Sequence, residues 1–355
     1  MATGLGETTA APARAAAYPM LRYMGSKARL LPWLGAELAE LDFSTALDAF
    51  SGSGCVAYLM KSMGKAVTAT DFLLFPSIIA QATIANSHEV LTSEDVELLL
   101  KPTRRGRRFI ANTFDGIFYT HEDLVFLDKL WANLDALDSP NKRALALTAM
   151  FRACVKRQPR GVFTVSDPTR YADGRRDLSL SLREHFVEQV AAYNAVVFDN
   201  GMPCSAQRLD VLADKIATYD LVYMDPPYVP RADDNCYVKR YHFLEGLASY
   251  WRDADAQPTT TSVVRKIPKR FTPFSYRRTA FDAFDLMFKR FSASTLVLSY
   301  SSNGYPDLDV LVDLMGRYKS SVRVVERDHR YHFGTHAGVS RNRVAVREYL
   351  LIGQS

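Results

Sequence analysis

The chain has few cysteines, no long apolar segment and no metal-ligand pattern, and each absence excludes a class of protein. Four cysteines among 355 residues stand far apart without a Cys-x-x-Cys pair, which predicts free thiols in a reducing compartment such as the cytoplasm. No stretch is long and apolar enough to span a membrane. Residues 1–20 contain one Arg and no apolar core, which predicts a disordered tail and not a signal peptide. No thiol or carboxylate pattern supports a metal site at the closely spaced histidines His329, His332 and His336.

The composition is that of an ordinary globular protein with a mild excess of positive charge. Hydrophobic residues make up 48% of the chain and charged residues 23%, which is enough core for one large domain with an insertion or for two domains. The net charge of +5 is compatible with a nucleic-acid partner but does not establish one.

The most informative segment is an apolar run that ends in two prolines. Leu221 to Met224 is typical of a buried parallel strand, and Asp225-Pro226-Pro227-Tyr228 follows it directly. Because two prolines cannot continue a central strand, the chain must turn out of the sheet there. The turn brings a carboxylate and an aromatic ring to the carboxyl edge of the sheet, where open α/β folds bind ligands. This combination suits chemistry on the exocyclic amine of a flat heterocycle.

A glycine turn and an acidic residue indicate a nucleotide-like cofactor. Gly52 and Gly54 lie between a predicted strand, residues 46–50, and a predicted helix, so a ligand can approach the backbone closely. The next predicted strand, residues 66–70, ends at Asp71, whose carboxylate can bind both hydroxyls of a ribose. Together they indicate an adenosine-containing cofactor. The full fingerprint Gly-x-Gly-x-x-Gly is absent, which disfavours a Rossmann dehydrogenase.

The remaining periodicity predicts alternating strands and helices interrupted by a mostly helical insertion. Such alternation implies parallel strands with right-handed crossovers. Further helices are predicted over 73–86, 121–137, 142–157, 180–195 and 308–315. Further strands are predicted over 196–198 and 295–300, with an antiparallel closing pair over 321–327 and 343–352.

Basic residues cluster in loops of the insertion and after the turn at residues 225–228, where they alternate with aromatic residues and proline. Such clusters suit contacts with phosphates, although an isolated charge run is more often plain solvated surface. The segment Tyr237–Phe243 is predicted as a loop that closes over a base or grips a phosphate, or else packs on the sheet. The candidate DNA-binding residues are Arg104, Arg105, Arg107, Arg108, Arg157, Arg160, Arg175, Lys239, Arg240, Lys269 and Arg270.

These motifs resemble the Dam-like DNA adenine-N6 methyltransferases, including restriction-associated members, over residues 21–95 and 195–355. Tyr23-Met24-Gly25-Ser26-Lys27 is similar to the N-terminal cofactor motif of that family, and Asp225-Pro226-Pro227-Tyr228 matches its catalytic motif in full. Asp48-Ala49-Phe50 stands where many members have Glu-Pro-Phe. The resemblance implies S-adenosylmethionine as cofactor. It implies cofactor contacts by Tyr23, Gly25, Lys27, Asp48, Phe50, Gly52, Gly54, Asp71, Phe72, Leu209, Asp210 and Asp225.

The resemblance also implies a fold and a domain plan. The fold class is α/β, with a Rossmann-like, mostly parallel sheet that contains one antiparallel strand. Residues 21–95 and 195–355 form the catalytic domain, and residues 96–194 form an inserted, mainly helical target-recognition domain. The partners that the resemblance implies are double-stranded DNA and, for restriction-associated members, a cognate restriction endonuclease.

The expected activity is methyl transfer to the N6 amine of a flipped adenine in duplex DNA. The Asp225 carboxylate and the Pro226 carbonyl would accept the hydrogens of the amine, and Tyr228 would stack on the base. Three alternatives remain open at this point. They are adenine-N6 methylation of RNA, cytosine-N4 methylation, whose enzymes more often have Ser at the position of Asp225, and a regulator that binds nucleic acid without turnover.

Overall fold

A computed structural model describes residues 13–102, 108–164, 174–229, 236–331 and 344–355, and a seven-stranded sheet lies at its centre. The strands are β1 Thr45–Asp48, β2 Ala66–Asp71, β3 Ser205–Arg208, β4 Leu221–Met224, β5 Thr295–Ser301, β6 Ser321–Tyr331 and β7 Val344–Gln354. They lie in the order β3-β2-β1-β4-β5-β7-β6, and β7 runs antiparallel to both of its neighbours. The predicted Rossmann-like fold class, mostly parallel with one antiparallel strand, is confirmed.

The strands next to the cleft form where short apolar runs meet residues that end them. All four residues of β4 are buried, and the following prolines cannot donate ladder hydrogen bonds, so pairing with β5 ends at Met224. In β1, Ala46 packs into the hydrophobic cluster on one face of the sheet, whereas Leu47 packs into the cluster on the other face. A sheet covered on both faces is what parallel strands require.

The strand predicted over residues 196–198 is wrong, and the edge strand β3 lies further along the chain. Val196 and Phe198 pack against helix α3, Cys55–Ser62, instead of pairing in the sheet. The hydroxyl of Tyr58 donates to the Val196 carbonyl at 2.7 Å, and the rings of Tyr58 and Phe198 are 5.5 Å apart. Strand β3, with the sequence Ser-Ala-Gln-Arg, pairs in parallel with β2 at the sheet edge and is only partly buried.

Helices flank the sheet on both faces, and an inserted helical region extends one face. None of the helices in the described part of the chain is long and apolar enough to cross a membrane. The helices are α1 Ala13–Ala16, α2 Leu31–Ala39, α3 Cys55–Ser62, α4 Leu74–Ala80, α5 Ser93–Leu100, α6 Phe109–Phe114, α7 His121–Asn133, α8 Pro140–Arg157, α9 Arg176–Ser179, α10 Leu182–Asn194, α11 Tyr237–Ser249, α12 Arg277–Arg290 and α13 Leu308–Gly316. Short 3-10 turns cover Lys27–Arg29, Leu134–Ala136, Ala254–Ala256 and Pro273–Ser275, and a π-helical turn, Gln81–Ala85, continues α4.

The inserted region shares its hydrophobic core with the sheet. Helix α8 packs against both α4 and α10, and its buried residues belong to the same cluster as those of β1 and β2. The predicted helix over 121–137 ends earlier, at Asn133, followed by a 3-10 turn, and the Ser139 hydroxyl accepts the Asn141 amide to start α8.

Ordered structure begins earlier than the predicted tail allows. Residues 1–12 lie outside the described part of the chain, but Ala13–Ala16 form a helical turn and Tyr18 is buried. The Tyr18 hydroxyl donates to the Ser53 carbonyl at 2.9 Å. The last part of the segment predicted as a disordered tail is therefore anchored to the rest of the protein by Tyr18.

The segment after the catalytic turn, predicted as a loop, is helix α11. It has a kink at Tyr241, where φ is −118° and ψ is 19°. Val238 and every residue from Tyr241 to Ala248 are buried, including the polar residues His242 and Glu245. Because the helix is buried nearly all round, it lacks the apolar and polar faces by which periodicity identifies helices.

Candidate active site

A cleft opens where the carboxyl ends of β1, β2 and β4 meet the start of α3. It has about 570 Å³ of space between its walls, part of which is open to solvent. Its lining residues come from five separate stretches of the chain. They are Tyr23, Met24, Gly25, Ser26, Lys27, Asp48, Phe50, Ser51, Gly52, Ser53, Cys55, Val56, Asp71, Phe72, Leu73, Tyr223, Asp225, Pro227 and Tyr237.

The glycine loop after β1 has a backbone that side chains would not permit. Gly52 has a φ of +49°, and a Cβ atom there would lie 2.9 Å from the Tyr23 ring. The Ser51 amide donates to the Thr70 carbonyl at 2.8 Å, and the Gly54 amide to the Ser51 carbonyl at 2.7 Å. The loop is thus held against β2, and its backbone faces the cleft with no side chain at Gly52.

Asp71 ends β2 and is fixed by two main-chain amides. Its Oδ2 accepts the Gly52 amide at 3.0 Å, and its Oδ1 accepts the Leu73 amide at 2.9 Å. Burial raises the pKa of this carboxyl to about 7, although both amides favour the charged form. Asp71 therefore holds the glycine loop and the start of the next segment in one arrangement.

Asp48, at the end of β1, is a buried carboxyl with spare capacity to accept hydrogen bonds. Its Oδ2 accepts the Ala57 amide at 3.0 Å, while its buried Oδ1 has no hydrogen-bond partner of standard geometry. Burial, followed by the negative charge of Asp225, raises the pKa of Asp48 to about 8, while the nearby Phe50 amide favours the charged form. A buried oxygen without a partner in a cleft is suited to accept a hydrogen bond from a ligand.

Lys27 and Asp225 form an ion pair at the base of the cleft. The Lys27 side chain is 2% exposed and that of Asp225 is 19% exposed, and Lys27 Nζ lies 2.8 Å from the carboxylate. The same ammonium donates to the Gly25 carbonyl at 3.0 Å. Burial raises the pKa of Asp225, and the positive charge of Lys27 opposes that rise. The lysine of the N-terminal motif thus contacts the catalytic turn directly.

Tyrosines of α11 hold the N-terminal motif in place from the other side. The Tyr237 hydroxyl donates to the Met24 carbonyl at 3.1 Å, and the Met24 amide donates to the Tyr241 hydroxyl oxygen at 2.7 Å. The Tyr23 ring stacks on Tyr241 with centroids 4.9 Å apart. These tyrosines were not among the predicted site residues, although their spacing of four along one segment was a signal that could have identified them.

The aromatic residue of the catalytic turn is supported by β5 and the loop after it. The Tyr228 ring meets the Tyr300 ring edge to face at 5.3 Å, and the Tyr300 hydroxyl donates to the Pro306 carbonyl at 2.8 Å. The Tyr305 amide donates to the Val229 carbonyl at 3.1 Å. Tyr228 is thereby oriented beside the cleft without lining it.

Several other predicted site residues also lie outside the cleft lining. Gly54 and Pro226 lie beside the cleft, each next to lining residues. Leu209 donates its amide to the Asp71 carbonyl at 3.0 Å, and Asp210 accepts the Leu212 amide at 2.9 Å in an exposed turn. Leu209 therefore supports the end of β2 from outside the cleft, and Asp210 lies in the turn that follows it.

The structure separates the predicted DNA-binding residues into two groups. Arg157 is ion-paired with Asp123 at 2.7 Å, and Arg270 with the buried Glu245 at 2.9 Å, so both stabilise the fold. The others in the described part of the chain are Arg108, Arg160 and Lys269, which are exposed, and Arg175, Lys239 and Arg240, which are partly buried. Arg104, Arg105 and Arg107 lie outside the described residues.

The inserted region meets α11 close to the cleft. The Phe163 amide donates to the Arg240 carbonyl at 2.9 Å, and a ring nitrogen of His242 is 2.9 Å from the Phe163 carbonyl. Arg160 lies in the same loop of the insertion. Basic residues from the insertion and from α11 are thus brought near one another.

The seven-stranded sheet, with the Asp-Pro-Pro-Tyr turn and the glycine loop at its carboxyl edge, agrees with a Rossmann-like methyltransferase fold. Residues 23–297 match the family described as D12 class N6 adenine-specific DNA methyltransferase, and the chain belongs to that family. The family acts on adenine in DNA, so the alternatives of RNA methylation, cytosine-N4 methylation and a non-catalytic regulator are not favoured.

Curated bacterial proteins resemble the chain over most of its length. It is 29% identical to Type II methyltransferase M2.HphI of Haemophilus parahaemolyticus over 338 residues, 88% of this chain and 92% of that protein. It is 23% identical to Modification methylase LlaI of Lactococcus lactis subsp. lactis, over 84% of this chain but 49% of that protein. It is 21% identical to Type II methyltransferase M.NlaIII of Neisseria lactamica, over 84% of this chain and 88% of that protein.

Proposed function

We propose that the chain uses S-adenosylmethionine to methylate the N6 amine of a specific adenine in duplex DNA. The observation that carries the choice of donor is the set of acidic groups in the cleft, which is lined by Asp48, Asp71 and Asp225 and by the ammonium of Lys27, and Lys27 is already paired with Asp225. Burial raises the pKa of Asp48 and of Asp71, and a positively charged ligand would favour the charged forms of both carboxyls. S-adenosylmethionine supplies an electrophilic methyl group on a sulfonium when it is bound.

The residues of the cleft fit this donor. The Asp71 carboxylate, at the end of β2, lines the cleft and would accept hydrogen bonds from ribose hydroxyls. The Asp48 Oδ1 is a buried acceptor suited to an ammonium group, and Gly52 lets a ligand approach the loop backbone. We assign the other predicted residues of the lining to the same ligand, namely Tyr23, Gly25, Phe50 and Phe72.

The catalytic turn would position the adenine and localise the lone pair of its amine. We assign the Asp225 carboxylate and the Pro226 carbonyl as acceptors for the two amine hydrogens, with Tyr228 stacked on the extruded base. Lys27 favours the charged form of Asp225 and holds its carboxylate in one orientation. Lys27 therefore acts on Asp225, and because Lys27 also lines the cleft we keep its assignment as a cofactor contact.

Target recognition is assigned to the inserted region, residues 96–194, together with the start of α11. Arg160, Lys239 and Arg240 are brought near one another by the contact of Phe163 with α11, which supports phosphate contacts beside the cleft. The relatives are named type II methyltransferases and a modification methylase. Their names support a role as the modification enzyme of a restriction–modification system with a cognate endonuclease as partner.

The assignment is tested by the variant Asp225→Ala. Transfer of labelled methyl from S-adenosylmethionine to DNA should fall by at least about 100-fold, because the amine loses a preorganised acceptor. Binding of the donor, followed by calorimetry, should persist. Sequencing of DNA methylated by the wild-type protein identifies the modified adenine.

A matched control is Asp220→Asn, at the opposite end of the same strand. Asp220 accepts the Ser44 and Thr45 amides and lies away from the cleft, so this variant loses stability without losing the catalytic turn. It should retain turnover below its unfolding temperature. Near-normal turnover by Asp225→Ala would show that the assignment is wrong.

A further inference from the structure

The segment between α11 and α12 presents an aromatic pair to solvent. Phe271 is 63% exposed, and its ring lies 5.4 Å from that of Tyr276 with an angle of 15° between the planes. A single exposed apolar side chain is ordinary on a protein surface. Here Phe271 and Tyr276 together form a flat aromatic surface, and both its position and the charge around it indicate that it binds a ligand.

The pair stands at the edge of the catalytic turn. Tyr276 lines a second depression, of about 320 Å³, whose walls include Phe72, Pro227 and Tyr237. These three residues also line the cofactor cleft, so the two depressions are neighbours separated by shared side chains. Phe271, which stacks on Tyr276, therefore lies next to a depression that adjoins the cofactor cleft.

Exposed positive charge surrounds the pair. Helix α12 begins with Arg277 and Arg278 and has no acidic residue in its first turn, although a helix start disfavours cations. Both arginines are exposed, as is Lys269. The Arg277 guanidinium lies 4.7 Å from the centre of the Tyr305 ring, in the loop that is hydrogen-bonded to the catalytic turn. Departures from local stability rules are most common at functional sites.

We propose that Phe271, backed by Tyr276, inserts into the duplex beside the target adenine and occupies the space that the extruded base leaves. Lys269, Arg277 and Arg278 contact the flanking phosphates. The inference rests on the proposed function, because it requires an adenine that leaves a duplex. Extruding a base costs its stacking and its pairing, and an apolar side chain that enters the duplex restores stacking contacts for the neighbouring bases.

The test compares Phe271→Ala with Phe281→Ala, a matched variant that removes a 37% exposed phenyl ring from α12. Each protein acts in single turnover on a duplex that contains the adenine methylated by the wild type. A second duplex lacks the base opposite that adenine, so extrusion is already easy. Phe271→Ala should lower the rate on the paired duplex by about 10- to 100-fold, the range of one lost base–aromatic stack. On the second duplex the methylation rate of Phe271→Ala should come to within about threefold of the wild-type rate.

Phe281→Ala should equal the wild type on both duplexes, and all three proteins should bind S-adenosylmethionine and unfold alike. A normal rate for Phe271→Ala on the paired duplex overturns the inference. An equal defect on both duplexes also overturns it, because Phe271 would then contribute affinity and not extrusion. A wild-type protein that methylates no duplex adenine overturns the proposed function itself, whereas an active wild type leaves that function intact whatever Phe271→Ala does.

Discussion

Removing the hydroxyl of Tyr18 is the change that best tests how the glycine loop, residues 51–54, is held in place. This hydroxyl donates to the Ser53 carbonyl at 2.9 Å and lies 3.3 Å from the Thr83 hydroxyl. A Cβ atom on Gly54, whose φ is +78°, would lie 2.8 Å from this hydroxyl, so the loop and Tyr18 fit closely. Tyr18 precedes the residues that match the family, which begin at 23, yet it supports a loop that lines the cleft.

Tyr18→Phe keeps the ring and removes only the hydroxyl. A typical hydrogen bond contributes about 0.5–1.5 kcal/mol, and a buried carbonyl left without its donor costs about 1–3 kcal/mol. We expect the free energy of unfolding to fall within that combined range, by about 1–2 kcal/mol. Because the same bond orients the turn at Ser53, the Kd for S-adenosylmethionine should rise about three- to tenfold, where tenfold corresponds to about 1.4 kcal/mol.

The control is Tyr58→Phe. Tyr58 is buried beside Tyr18, with ring centroids 4.5 Å apart, and its hydroxyl donates to the Val196 carbonyl at 2.7 Å, away from the loop. Urea unfolding measures stability, and isothermal titration measures binding of the donor. Both variants should lose similar stability, and only Tyr18→Phe should bind more weakly. Equal Kd values for the two variants would refute the reasoning.

Three further perturbations act on buried charged groups, two of them in the cleft and one in α11. Burial raises the pKa of Asp71 to about 7 and of Asp48 to about 8, from 3.8, so the folded protein keeps protons that the unfolded chain loses. The free energy of unfolding by urea should therefore fall as pH rises from about 4 to about 8, and less steeply in Asp71→Asn; a rise would contradict this. Lys27→Met leaves Asp225 buried without its partner, at a cost of about 3–5 kcal/mol, and adding Asp225→Asn should restore part of that stability in a double-mutant cycle. Glu245→Ala removes the acceptor of the first amides of α4, so thermal unfolding should show a loss of at least about 1–2 kcal/mol; an unchanged Tm would exclude this capping role.

The strands that build the cleft could be predicted because each combines a local pattern with a residue that ends it. The apolar run Leu221–Met224 stops at two prolines, and the strand over 66–70 stops at an acid. Strand β3 could not be predicted in the same way. Its residues, 205–208, are mostly polar, and an edge strand at this position needs little burial, so no apolar signal exists.

Contacts between distant segments account for most of what the sequence did not reveal about the site. Tyr18 and Ser53 are 35 residues apart, and Lys27 and Asp225 are 198 apart. The motifs predicted that these segments meet at one sheet edge, but no local pattern states which side chains pair there. The same holds for Arg157, whose charge in a basic loop suggested phosphate contact until its pairing with Asp123 became visible.

Helix α11 begins in a segment predicted as a loop, and this segment positions the site. Tyr237, Tyr241 and Glu245 are four residues apart, and all three reach other segments. The two tyrosines hold both main-chain polar groups of Met24, in the N-terminal motif, and Glu245 accepts the Leu74 amide at the start of α4. A loop at this place would leave those groups without partners, at a cost of about 1–3 kcal/mol each when buried. The polar and aromatic residues that made the segment resemble a loop are therefore the ones that fix the cofactor side of the cleft relative to the catalytic turn.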